Sequence, residues 1–360
     1  MKREKVFVGL SGGVDSALTA CLLKEQGYDI TGVFIKVWHP DFLPCNWREE
    51  RRDAMRVAVK LDIPFLFFDF EKEYKSEVAD YMINEYKEGR TPNPDVLCNR
   101  IIKFGSFWNK AKSLGADYIA TGHYARIKKD GGQSSLLEGK DKEKDQSYFL
   151  WMLEEEELEH ILLPIGEFKK NEVRDMAKNR NLPVATKKDS QGICFMGDIS
   201  LEEFLSHFIE VVPGYVLNIH GETIGHHNGA IFYTIGERRG FDITKKTPNE
   251  KPFYVISKSV EDNTITVSSD MDVIKGSNPE IVKVTRINWI NKPSSTKVLA
   301  RIRYRQEKIP VEIFSSDDPK SKEIPIKFLT PQTGVSFGQS IVFYDGERCL
   351  GGGIMNNNLS

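Results

Sequence analysis

Ser11-Gly12-Gly13-Val14-Asp15-Ser16 directly follows the apolar run Val6-Phe7-Val8-Gly9-Leu10. These residue types in this order point to anion chemistry. Adjacent glycines let backbone N–H groups converge, and Ser11 and Ser16 add hydroxyl donors. A helix beginning near Asp15 would add the positive end of its dipole. The implied ligand is a phosphate group. A Walker loop needs a lysine after its second glycine, and none stands here. A dinucleotide fingerprint needs three spaced glycines, and only one adjacent pair is present.

Two cysteines lie in segments that could carry further chemistry. Cys98 closes the stretch Gly89-Arg90-Thr91-Pro92-Asn93-Pro94-Asp95-Val96-Leu97-Cys98, between two predicted helices. With Asn99 capping the second helix, Cys98 would sit at a helix entrance, where the dipole lowers a thiol pKa. Asp95 could accept a proton or orient a partner. The alternative is a buried apolar cysteine in a rigid loop. Cys194 follows Lys187 and Lys188, which favour a thiolate, but Ile193, Phe195 and Met196 favour plain burial. Of the five cysteines, Cys21 reads as core, while Cys45 and Cys349 have no reactive context. None lies within three residues of another, so no local metal pair is written.

The elements that must position these groups alternate between strand and helix through the first 200 residues. Ile30–Val37, Phe65–Phe70 and Tyr118–Thr121 read as buried strands. Arg48–Leu61, Tyr74–Tyr86 and Asn99–Leu114 read as helices, as does Asp15–Gln26, ended by Gly27. This implies a parallel sheet covered on both faces, with ligands at the carboxyl ends of its strands. Residues 9–16 and Thr121–Tyr124 fall at such ends. Leu201–Ile209 reads as a connecting helix, and short strands with turns follow. His226-His227 reads as a turn rather than a metal site. Residues 275–279 read as a linker before a small β-barrel. There, Arg301, Arg303 and Arg305 alternate on a predicted strand, so all three would face one way, toward phosphates or simply toward solvent.

The chain has 360 residues, with 50 basic and 52 acidic side chains and a net charge of -2. Such a length supports two or three domains, and the balance confines any nucleic-acid site to a local patch. No apolar run approaches a membrane span, and the amino-terminal strand is too short for a signal core, so a cytoplasmic protein is expected.

The loop resembles the SGGxDS signature of the PP-loop ATP pyrophosphatases. Over nearly its whole length the chain resembles the bacterial-type tRNA-specific 2-thiouridylases. The resemblance rests on Gly9–Ser16, Gly89–Asp95, Cys98-Asn99, Ile119–Arg126, Lys144–Leu150, Lys187–Ser190, Gly192–Phe195 and Tyr233–Gly236. It implies an α/β fold with a PP-loop domain (adenine nucleotide alpha hydrolase-like) at 1–200. A β-rich central domain at 205–268 and a tRNA-binding β-barrel at 275–360 would follow.

The same resemblance implies the roles. Cys98 matches the catalytic nucleophile, Cys194 the persulfide carrier, and Asp95 the acidic residue beside the target base. Asn93, Pro94 and Asp95 match the segment meeting that base. Gly9, Leu10, Ser11, Gly12, Gly13, Val14, Asp15, Ser16, Ile35 and Gly122 match the nucleotide pocket. His123, Lys144, Asp145, Gln146, Arg303, Tyr304 and Gln339 match positions that touch tRNA. The implied reaction is ATP-dependent 2-thiolation of the wobble uridine in the anticodon loop, with Mg²⁺ accompanying ATP. A cysteine desulfurase or sulfur-relay carrier would donate the sulfur. Ile35 stands where methionine is usual, Glu237 where glutamine is usual, and Phe241-Asp242-Ile243 replaces a glycine-rich stretch. Two alternatives are another PP-loop enzyme adenylating a small carbonyl compound and a nucleotide-gated tRNA-binding protein without turnover.

Overall fold

The computed structural model describes residues 3–43, 47–188, 199–244, 251–315 and 322–356. Cys45 and Cys194, with the GICF segment, lie outside them.

The first sheet is parallel throughout. It comprises β1 (Lys5–Gly9), β2 (Asp29–Lys36), β3 (Phe65–Asp69), β4 (Tyr118–Ala120) and β7 (Ile161–Leu162) in the order β3-β2-β1-β4-β7. Side chains of β1 alternate between two cores. Val6 and Val8 pack beneath α1 (Val14–Glu25) and α2 (Trp47–Lys60), and Phe7 packs into the core on the other face. With both faces covered, the strands are apolar runs rather than alternating ones. Helix α1 buries nine residues, because the sheet and α5 (Lys170–Asn179) enclose it. Gly27 ends it in the left-handed region at φ +93°. Tyr28 N–H then bonds Leu23 O and Gly27 N–H bonds Lys24 O, a Schellman closure.

Two helices link β3 to β4. The first, α3 (71–87), buries Tyr74, Val78, Met82 and Tyr86 along one stripe. The second, α4 (94–113), begins earlier than expected. Asn93, not Asn99, is its N-cap, accepting from Val96 N–H, and Pro94 fills the first position, where proline fits best. Cys98 therefore lies a full turn inside the helix, not at its entrance. Residues 98–106 are wound as a π-helix, as are residues 75–79 of α3.

A hairpin, β5 (Ala125–Asp130) and β6 (Gln133–Glu138), leaves the parallel domain and pairs with the carboxyl-terminal strands. Beyond α6 (Leu201–Ser206) comes a central sheet of β8 (Gly214–Leu217), β9 (Thr223–His227), β10 (Asp242–Ile243), β11 (Tyr254–Ser259) and β12 (Thr264–Ser268). His226 and His227 end β9 rather than forming a turn, with His227 buried and His226 exposed. Helix α7 (Met271–Gly276) takes the first part of the expected linker.

The last six strands are β13 (Ile281–Trp289), β14 (Lys297–Arg301), β15 (Ile309–Ile313), β16 (Ile324–Phe328), β17 (Ser340–Asp345) and β18 (Arg348–Asn356). They run β13-β16-β15-β14-β17-β18, and β13 pairs with β18 to close an antiparallel barrel. The expected architecture is thus present: parallel sheet, central β-rich domain and barrel. Among the described residues no helix is long and apolar enough to cross a membrane.

Candidate functional site

The order β3-β2-β1-β4 reverses direction between β1 and β4, and the crevice at that switch is where open α/β sheets bind ligands. Both expected loops meet there. Gly12 adopts φ +76°, and a Cβ on it would stand 2.5 Å from Glu50 O. A Cβ on Gly122 would stand 2.9 Å from Asp15 C and Ser16 N. Glycine is required at both positions, once for conformation and twice for room. Ser16 Oγ accepts from Ser11 N–H (3.2 Å) and donates to Gly13 O (3.1 Å), which ties the loop into a cup. Ile35, at the end of β2, comes within 4.0 Å of the space beside Gly9. Phe107 of α4 approaches the same space at 3.8 Å. The loop, Ile35, Gly122 and α4 therefore converge on one edge of the sheet.

Asp15 is the acidic side chain of the loop. Tyr124 Oη donates to its Oδ1 (2.7 Å), and Lys170 Nζ lies 2.8 Å from both carboxylate oxygens. No motif points to Lys170, which lies 155 positions from Asp15 along the chain.

Cys98 is 4% exposed and packs in the apolar core on the α4 side. Burial pushes the Asp95 carboxyl above its usual range, partly offset by the Lys103 ammonium. His123 is also buried. Its Nδ1 meets Thr121 Oγ1 at 2.8 Å, and burial, reinforced by Lys103, holds its pKa well below the ordinary value. The Lys103 ammonium thus acts on both groups, and no motif points to it. Asn99 Nδ2 donates to Phe149 O (3.1 Å), and the Phe149 ring packs on Tyr304 at 4.6 Å between centroids. That contact joins the cysteine helix to the barrel.

The barrel also grips the 89–95 segment. Gln339 Nε2 donates to Thr91 O (3.0 Å) and Pro92 O (3.2 Å). Thr91 N–H donates to Phe337 O (2.9 Å). Arg303 Nη2 donates to Ile235 O and Gly334 O at 2.8 Å each, and burial lowers its pKa. Gln146 is bound to Tyr124 on both sides: its Oε1 accepts from Tyr124 N–H (2.9 Å), and its own N–H donates to Tyr124 O (2.8 Å). Lys144 N–H donates to Asp141 O (3.1 Å).

The expected arginine stripe does not form. Strand β14 stops at Arg301, and Arg305 takes φ +64°, so the two do not alternate on a strand. Arg301 is 8% exposed and points inward, pairing with Asp145 (2.7 Å) and Glu138 (2.8 Å). Asp145 is equally withdrawn at 3% exposed. Besides Arg301 it accepts from Gly139 N–H, Ser147 N–H and Ser147 Oγ. A carboxylate so engaged shapes the 139–147 turn and offers nucleic acid little.

Glu237 accepts from Thr234 N–H (3.0 Å) and faces Lys258, whose pKa burial pushes down to about 8. Burial likewise pushes the Glu237 carboxyl above its usual range, with Lys258 offsetting part of the rise. Phe241 packs on Tyr233, and Asp242-Ile243 forms β10 against β9. Among the described residues no group of three His, Cys, Asp or Glu could hold a metal ion.

Residues 4–198 match the model of the tRNA methyl transferase HUP domain. Residues 202–269 match a tRNA methyl transferase PRC-barrel domain, and 280–355 match an aminomethyltransferase beta-barrel domain. Full-length relatives are more specific. The tRNA-specific 2-thiouridylase MnmA of Listeria monocytogenes serotype 4b is 41% identical over 98% of this chain and 94% of its own. The chain belongs to the tRNA-specific 2-thiouridylase family. Members of this family are sulfurtransferase enzymes. A second relative, tRNA-specific 2-thiouridylase MnmA 1 of Geobacillus kaustophilus, is 45% identical over 99% of this chain and 96% of its own. Among solved structures, a 4-thiouridine synthetase–RNA complex with bound ATP shares 20% identity at a TM-score of 0.38. That likeness spans 57% of this chain and 50% of the other, and is too distant to bear on the site.

Proposed function

We propose that this chain thiolates C2 of the wobble uridine of tRNA, using ATP to activate the C2 oxygen. One observation carries this reading. Phe107, on the helix that bears Cys98, comes within 3.8 Å of where a Cβ on Gly9 would stand, so the cysteine-bearing helix runs beside the strand end that opens the 9–16 loop.

The C2 oxygen is a poor leaving group. Transfer of AMP to it makes a good one, with pyrophosphate left in the cup formed by Ser11, Gly12, Gly13 and Ser16. The adenine would lie on Ile35, and Gly122 would leave room for the phosphates. Mg²⁺ would enter with ATP and would offset phosphate charge. Sulfur would come from a persulfide on Cys194, loaded by a cysteine desulfurase or relay carrier. Either the persulfide attacks C2 directly, or Cys98 first releases sulfide. Both routes end with a Cys98–Cys194 disulfide that a reductant must open. A raised Asp95 pKa suits a group that exchanges a proton with the base. The uridine must leave its stack to reach Asn93–Asp95, which favours a single-stranded anticodon loop. Arg303, Tyr304, Gln339 and Lys144 would line its approach.

Cys98→Ser is expected to abolish 2-thiouridine while tRNA-dependent pyrophosphate release continues. Wild type quenched during turnover should contain the Cys98–Cys194 disulfide. Pyrophosphate release without tRNA, or thiouridine made by Cys98→Ser, would overturn the reading.

A further inference from the structure

The loop at 9–16 carries no cation. Its charged side chain is Asp15, which has the wrong sign for a phosphate site. A Walker loop solves this with its own lysine, which reaches the β- and γ-phosphates. Here the fold brings one from elsewhere. Lys170 stands in the first turn of α5, where its backbone N–H donates to Asp141 Oδ2 (2.9 Å). Its side chain is 13% exposed and reaches to 2.8 Å from Asp15. The ammonium lies 5.7 Å from the centre of the Tyr124 ring, and Tyr124 Oη holds the same carboxylate. Two groups from two elements thus converge on Asp15 at the rim of the cup.

We propose that Lys170 is a phosphate-binding residue of the ATP site, the cation that the motif itself lacks. The inference rests on reading the loop as an ATP site. An ammonium has three donors, and a polyphosphate presents several charged oxygens. Pyrophosphate can therefore share Lys170 with Asp15 rather than displace it. As the bond to the α-phosphate breaks, charge builds on the leaving pyrophosphate, and a fixed cation there stabilises it. Asp15 holds the ammonium in place at the rim of the cup.

Titration calorimetry with ATP, inorganic pyrophosphate and adenosine tests this. Lys170→Ala should weaken ATP and pyrophosphate about tenfold or more, the worth of a charged hydrogen bond, and leave adenosine unchanged. Lys170→Arg should recover most of the loss. The double variant Lys170→Ala/Asp15→Asn separates contact from charge balance. If Lys170 touches phosphate, pyrophosphate stays weak when Asp15 is neutral. Full recovery in the double variant would show that Lys170 merely balances Asp15, and would overturn the proposal. Unchanged pyrophosphate affinity in Lys170→Ala would do the same. Wild type binding neither ATP nor pyrophosphate would overturn the ATP reading itself, and the proposal with it.

Discussion

The cup at residues 9–16 and the strand end at Arg301 were both read from short local patterns, and they fared differently. In the cup, the chemistry lies in the backbone. Glycines set its path, and the helix that follows sets its polarity. Such features depend on neighbours in sequence, so the expected glycine turn and helix end are found at Gly12 and Gly27. At Arg301 the chemistry lies in a long charged side chain. Its direction depends on whether a carboxylate waits inside, and Asp145 and Glu138 do, from 156 and 163 positions away along the chain. Backbone-borne sites are therefore legible locally, whereas side-chain-borne sites need the fold.

The sharpest way to break this comparison is Gly12→Val. A branched side chain at φ +76°, with its Cβ 2.5 Å from Glu50 O, must push the loop aside. Pyrophosphate release should fall by about a hundredfold or more, since misplacing a site by about 1 Å has that effect. Filter binding should show tRNA affinity little changed. Retained release would mean that the backbone path is not what makes the cup.

Arg301→Met sharpens the other half. It leaves Asp145 and Glu138 buried with less compensation. Breaking a buried pair costs about 3–5 kcal/mol, although Lys308 and Lys142 still reach Glu138 at 3.1 and 2.9 Å. The urea midpoint should drop clearly. Unchanged stability with weakened tRNA binding would return Arg301 to the RNA surface.

The smallest effect concerns Glu347, which bridges the hairpin and the barrel. Its bonds with Lys142 and Arg126 hold its pKa at about 2, against an ordinary 4.5. The folded value lies below the unfolded one, so this stability is present above pH 4.5 and fades as pH falls toward 2. The side chain is 56% exposed, so after screening the contribution is about 0.5 kcal/mol. Glu347→Gln should flatten the acid limb of the stability profile by that amount. The variant should therefore be less stable than wild type above pH 4.5 and converge with it near pH 2; an unchanged slope between pH 4.5 and 2 would assign the effect to another group.

Several departures from expectation share one cause. The sequence pattern predicts the helix cap at Asn99, whereas the structure places it at Asn93. Pro94 decides for Asn93 because proline suits the first helical turn, and Asn99 is drawn off to Phe149 O across the interface with the barrel. Cys98 moves a turn into the helix as a result. Lys103 carries no motif, yet its charge bears on both Asp95 and His123. The β5–β6 hairpin falls within the expected bounds of the first domain but pairs with the first residues of β18, Arg348 and Cys349.

From sequence alone came the parallel sheet, the glycine cup, the end of α1, the order of the three folds and the family. Each depends on periodicity, turn chemistry or a contiguous motif, which act over a few residues. Only the tertiary structure decided that Lys170 reaches Asp15, that Gln339 clamps Thr91 and Pro92, and that Arg301 and Asp145 withdraw from the surface. Those pairings join residues more than a hundred positions apart. They are selected by burial, where an unpaired charge is costly and a paired one holds the elements in register.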